Sequence, residues 1–110
     1  MVRERLAQRL ATIPGFDVIG ATGDVEEGIQ QMENLVPSLV LMDSKIAQVI
    51  GQEICRRASL ALDGPKIVVL MGIGSEAEIR KAEQIGAMGY LLKDIGTQKL
   101  ARDLRRLAGF

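Results

Sequence analysis

Histidine and tryptophan are missing from this chain, and cysteine occurs once, at Cys55. Without imidazole there can be no His-based zinc site, no Ser-His-Asp triad, no Cys-His pair and no imidazole general base. One cysteine cannot close an internal disulfide, which points to a reducing compartment. A charge excess is missing too. Fourteen Lys and Arg balance fourteen Asp and Glu, whereas a dedicated nucleic-acid binder usually carries a strong basic surplus. The apolar runs fall far short of the roughly 18 residues of a membrane span. Arg3, Glu4 and Arg5 stand where a signal peptide would have begun its apolar core. These exclusions lead to the expectation of a cytoplasmic protein with no membrane partner. What is present suits one soluble domain over residues 1–110, with 47% apolar and 25% charged residues.

Helical and strand-like patterns alternate along the chain. Leu6, Leu10 and Ile13 recur at helical spacing, and Pro14-Gly15 closes that helix. Phe16 to Ile19 reads as a short strand. Asp24 followed by Glu27 predicts a capping box, with Val25, Ile29, Met32 and Val36 on one face of the helix that follows. Ser38 to Met42 is an apolar run that stops at Asp43. A looser stretch is expected from Ser44 to Gly51, then a helix near Glu53 to Leu62 with Ile54, Ala58 and Leu62 inward. Ile67 to Met71 reads as a second apolar strand. Ser75 with Glu78 predicts another capping box, and Ile79, Ala82 and Ile85 an apolar stripe. Tyr90 to Leu92 reads as a last short strand ending at Lys93. Thr97 is expected to cap a final helix with Leu100, Leu104 and Leu107 inward.

Uninterrupted apolar strands are those buried on both faces, in parallel sheets covered by helices on each side. The expected fold is therefore α/β, a doubly wound parallel sheet. In such sheets the chemistry gathers beyond the carboxyl ends of the strands. That places Gly20-Ala21, Asp43, Met71-Gly72 and Lys93-Asp94 on one rim. A carboxylate at 43 and an ammonium at 93 could pair there, and the ammonium could stabilise a phosphoryl group placed on the carboxylate. The plainer alternative is a strand-ending aspartate beside a solvated lysine.

The segment VPSLVLMD (Val36 to Asp43), then Gly51, IVVLM, and IGAMGYLLKD (Ile85 to Asp94), resembles a response-regulator receiver domain. The opening VRERLAQRLATIPGFDVIGAT resembles the receivers of the NarL/FixJ type. The resemblance covers essentially the whole chain and implies the flavodoxin-like receiver fold and two-component phosphorelay signalling. Residue by residue, it makes Asp43 the phosphoacceptor position, Lys93 the phosphoryl-contacting lysine, and Tyr90 the aromatic whose rotamer follows activation. Gly51 becomes the glycine that starts the third helix. Met71 falls on the switch position, normally Ser or Thr. The implied partners are a sensor histidine kinase or phosphotransfer protein and a homodimer mate. DNA would be reached only through an effector domain outside this chain.

Three departures accompany the resemblance. The chain opens on the family's first helix, so the first strand and the acidic pair that binds magnesium are expected to be absent. A thioether at Met71 cannot donate a hydrogen bond to a phosphoryl oxygen. Ala47 replaces a proline in the loop after Asp43. The expectations are that magnesium binds weakly or not at all, that the metal-ligand set is empty, and that metal-dependent phosphorylation is compromised. The gap left by the first strand could reflect truncation, closure of the second strand on the third, or association of two chains. A degenerate receiver, used only for interaction or dimerisation, is the alternative reading.

A third reading, a small nucleotide- or flavin-binding enzyme, rests on VIGATG (Val18 to Gly23). That stretch lacks the full glycine fingerprint, and turn geometry explains its glycines as well. MGIGSE (Met71 to Glu76) could likewise cradle an anion at a helix start, or be a plain glycine loop. Lys99, Arg102 and Arg106 share a side of the last helix and could meet Glu76, Glu78 or Glu83 of a second chain. Cys55, Met32, Met42, Met71 and Met88 read as packing residues.

Overall fold

The structure is a computed structural model. It describes residues 2–60 and 64–109, the side chains of residues 2–4 excepted. The apolar runs form three strands: β1 (Leu39–Asp43), β2 (Lys66–Met71) and β3 (Gly89–Leu92). Five helices surround them: α1 (Val2–Ala11), α2 (Val25–Leu35), α3 (Ser44–Ser59), α4 (Glu76–Ile85) and α5 (Thr97–Ala108). The sheet is parallel in the order β1-β2-β3, with Asp43 registered on Leu70 and Met71 on Leu92.

Both faces of the sheet are covered, as the unbroken apolar strands require. Side chains alternate along each strand, so β2 divides its residues between two cores. Ile67, Val69 and Met71 pack with Met32 of α2, Ala47 and Ile54 of α3, and Ala82 and Ile85 of α4. Val68 and Leu70 face the other way, to Ile13, Leu91, Leu100 and Leu104, with Leu6 and Leu10 of α1 against them. The helices satisfy the same periodicity. Met71, Val68 and Leu104 are completely buried. The fold is the doubly wound α/β sheet expected from the sequence.

Several local expectations change. Phe16 to Ile19 forms no strand. A strand needs a neighbour for its N–H and C=O groups, and β1 pairs with β2 alone among the described residues. The segment instead lies across α2, where the Cα of Gly20 comes so close to Gln31 and Leu35 that a Cβ would sit 2.8 Å from Gln31 Oε1. Phe16 reaches the α1–α5 core, while Val18 and Ile19 stay exposed. The Phe16 to Ile19 segment therefore does not close up on β1.

The stretch after Asp43 is not loose. α3 starts at Ser44 with no intervening loop. The reason is visible in the composition: Ile46, Ile50 and Ile54 repeat at helical spacing, as do Ala47, Ile54 and Ala58, and no proline interrupts them. Gly51 thus lies inside the helix rather than at its start. It is buried where α3 meets α4, and a Cβ there would sit 2.8 Å from Ile85 Cδ1. Leu62, expected inward on this helix, lies outside the described residues.

Val36 leaves the apolar face of α2. It adopts a left-handed φ of 48° at the helix end and is 63% exposed, a strained conformation for a β-branched residue. The Asp24 box is half made. Asp24 accepts from the N–H groups of Glu26 and Glu27, but Glu27 turns to Thr22 and Gln31. Thr97 does not cap α5. Gly96 occupies that position without a side-chain bond, and the Thr97 hydroxyl accepts from Arg9 of α1 at 3.3 Å.

Candidate functional site at the carboxyl rim

Parallel register sets the rim. β1 ends at Asp43. One strand over, β2 ends at Met71, and its carbonyl accepts the N–H of Lys93 at 2.8 Å. That bond holds Lys93 directly beyond β3. Across the end of β2, the Lys93 ammonium reaches Asp43 Oδ2 and forms both a hydrogen bond and an ion pair with it. Two residues 50 positions apart therefore converge as the sequence predicted, each with about a third of its side chain exposed.

The other oxygen of Asp43 is also engaged. Oδ1 accepts the backbone N–H of Lys45 at 2.8 Å, so the aspartate is the N-cap of α3. A carboxylate satisfies a free N–H there and lies at the positive end of the helix dipole. Burial alone would raise the Asp43 pKa. The Lys93 hydrogen bond, the Lys45 N–H and the charges of both lysines outweigh it, and the net effect holds the carboxyl below its ordinary value.

Next to the aspartate, Ser44 is buried, and its hydroxyl donates to Glu78 Oε2 at 3.0 Å. Glu78 belongs to α4. Its other oxygen accepts the backbone N–H groups of Gly74 and Ser75, both at 3.1 Å, while its own N–H donates to Ser75 Oγ at 3.2 Å. This completes the predicted capping box and extends it across the molecule to α3. Glu78 is held below the usual glutamate range, first by the Ser75 backbone N–H and then by the Ser44 hydroxyl, with the Gly74 N–H and Ser75 hydroxyl adding to both.

Two other predicted site residues stand apart from this cluster. Met71 is fully buried in the α2–α3–α4 core, so its thioether serves packing. Tyr90 is 43% exposed on β3. Among the basic residues of α5, Lys99 and Arg106 both pair with Asp103 of the same helix. The roles of Ser44, Lys45 and Glu78 at the rim escaped the sequence reading. Helical spacing running back from Ile54 to Ile46 was the available signal for the first two. The capping box identified Glu78 but not its reach to Ser44.

The residues present do not fit a resident magnesium ion. No group of three His, Cys, Asp or Glu side chains comes together among the described residues, and both oxygens of Asp43 already have donors. Magnesium needs several oxygen ligands in near-octahedral array. Nor do the glycine stretches cradle an anion. The Asp24 carboxylate already takes the first N–H groups of α2, and Glu78 takes those of Gly74 and Ser75. A shallow concavity lined by Cys55, Ala58, Pro65, Ile67 and Met88 lies at the opposite, amino-terminal end of the strands. Cys55 is half-buried there, and burial pushes its thiol up. No helix among the described residues is long and apolar enough to cross a membrane.

Fold and rim together define a class: a parallel α/β module organised around an aspartate–lysine pair that meets across the carboxyl end of the central strand. The family "Response regulator receiver domain" matches residues 1–105, and the chain belongs to that family. It is 32% identical over 105 residues to the transcriptional regulatory protein LiaR of Bacillus subtilis, covering 96% of this chain and 50% of that protein. It is 31% identical over 108 residues to the nitrate/nitrite response regulator protein NarL of Escherichia coli, covering 98% of this chain and 50% of that one. The chain thus spans about half the length of the curated relatives it matches.

In fold it is similar to a solved DNA-binding response regulator of the LuxR family from Staphylococcus aureus. The TM-score is 0.79 at 17% identity, over 98% of this chain and 90% of that one. A signal receiver domain from Mycobacterium tuberculosis, bearing the name NarL, gives a TM-score of 0.82 at 20% identity, over 98% and 87% of the two chains.

Proposed function

We propose that the chain is the receiver module of a two-component phosphorelay in which Asp43 is the phosphoacceptor position and metal-dependent phosphorylation is compromised. The observation that carries this reading is the convergence of Asp43 and Lys93 at the carboxyl rim. In a productive transfer a carboxylate oxygen of Asp43 bonds to phosphorus as the bond to the donor's nitrogen breaks. The Lys93 ammonium would then balance charge on the transferred group. Lys93 and the start of α3 are the positive groups this site supplies.

The reading predicts little label on Asp43 when the protein is incubated with acetyl phosphate and magnesium. Stoichiometric, Asp43-dependent label would overturn the compromised chemistry. A second reading, a receiver used solely for interaction or dimerisation, is favoured by the double engagement of Asp43 as helix cap and ion-pair partner. Phosphotransfer from a phosphorylated histidine kinase separates the two. Label that disappears in Asp43→Asn supports the first, and no label from any donor supports the second. By analogy with the names of its relatives, output would be transcriptional and would act through an effector module. The cytoplasm is the proposed location.

A further inference from the structure

The sequence separates two strand-to-helix turns by some thirty residues, yet a chain of polar contacts joins them. Asp43 caps α3 by its bond to Lys45. Ser44, the first residue of that helix, is locked in place by the cap and buried. Its hydroxyl holds one oxygen of Glu78, whose other oxygen fixes the N–H groups of Gly74 and Ser75. We infer that Ser44 and Glu78 are positioning residues that couple the state of the Asp43 carboxylate to the conformation of the β2–α4 turn. Each link has a physical reason. Removing the cap frees the first turn of α3. Ser44 then no longer presents its hydroxyl to Glu78 at a fixed place. A carboxylate that loses one of its donors holds its remaining three, the Gly74 and Ser75 N–H groups and the Ser75 hydroxyl, less firmly.

The receiving end is poised to respond. Gly74 has a φ of +74°, and its Cα lies so close to Leu92 that a Cβ would sit 2.8 Å from Leu92 Cδ2. Beside it Ile73 is 87% exposed, so few packing contacts hold the turn, and the Glu78 hydrogen bonds carry much of its order. The completely buried Met71 side chain leaves no hydroxyl at the end of β2 to perform this coupling. The relay is a property of the fold and holds whether or not Asp43 accepts a phosphoryl group.

Amide hydrogen exchange of Lys45, Gly74 and Ser75, followed residue by residue by NMR on the whole chain, tests it. Asp43→Ala should speed exchange at all three, roughly fivefold. Asp43→Asn, which retains a capping oxygen, should restore slow exchange at each. Ser44→Ala should speed Gly74 and Ser75 while leaving Lys45 slow. The double variant Asp43→Ala/Ser44→Ala should exchange at Gly74 and Ser75 no faster than the quicker single variant. Effects of the two changes that simply multiply at Gly74 and Ser75, or an Asp43→Ala protein whose Gly74 and Ser75 amides are unchanged, would overturn the relay. If Asp43→Ala does not fold, Ser44→Ala decides alone, since unaltered exchange at Gly74 and Ser75 there breaks the chain at its middle link.

Discussion

The two turns at the rim solve one problem in opposite ways. Each must deliver the chain from a strand into a helix and satisfy the helix's first N–H groups. Between β1 and α3 there is no loop at all: the last strand residue, Asp43, is itself the cap. Between β2 and α4 there are four residues, Gly72 to Ser75, with a left-handed glycine and a full capping box. The first turn is short because its carboxylate is anchored from outside, by Lys93. The second is longer because it makes its own anchor from Ser75 and Glu78. A rim carboxylate in this fold can therefore cap a helix with one oxygen and pair with a distant lysine through the other, as Asp43 does.

The most disruptive test of that contrast is Ala47→Pro. The N–H of Ala47 falls on the first full turn of α3, and proline there would remove a helical bond and clash with the preceding turn. We expect a loss of about 3 kcal/mol in urea denaturation. A fully stable variant would mean that the β1–α3 turn is open rather than helical. Gly74→Ala should come next, at about 1–3 kcal/mol, because alanine at that φ is strained and its Cβ meets Leu92. The thermal midpoint of Gly86→Ala, at a φ of +87° where a Cβ meets nothing, isolates the conformational part.

Asp43→Ala should cost about 1 kcal/mol as a lost cap, and Asp43→Asn less, because the amide oxygen can still accept from Lys45. Equal losses would place the stabilisation in the Lys93 pair instead. The smallest effect is on pH. Asp43 and Glu78 both have folded values below their ordinary ones. They stabilise the fold fully above their unfolded values of roughly 4, and that contribution is lost as pH falls through the lower folded values. Denaturation at pH 6 and pH 3 should show this loss. Asp43→Asn/Glu78→Gln should show less of it.

Glu53 sharpens the same lesson by contrast. Bonds from Arg56 and Arg57 hold its carboxyl down to about 2. All three groups are well exposed, and solvent screens such pairs. A large shift on the surface thus says less about the molecule than the downward shifts at the rim.

Much of this was written locally. The apolar runs at 39–42 and 67–71 could only be strands covered on both faces, and the leucines of α5 could only be one buried stripe. With strands parallel, Asp43 and Lys93 had to leave the sheet at the same end. The Ser75–Glu78 box was legible because all of its partners lie within four residues.

What the sequence could not decide was every feature that depends on a neighbour far along the chain. Phe16 to Ile19 has strand composition, yet a strand exists only where another edge accepts its hydrogen bonds, and none is described there. Ser44 to Gly51 reads as a looser stretch, yet burial of Ala47 and Gly51 against the rest of the core makes it helix. The Ser44–Glu78 contact spans 34 residues. Periodicity carries information over a turn or two of helix, whereas the meeting of distant side chains is settled only when the whole sheet has packed.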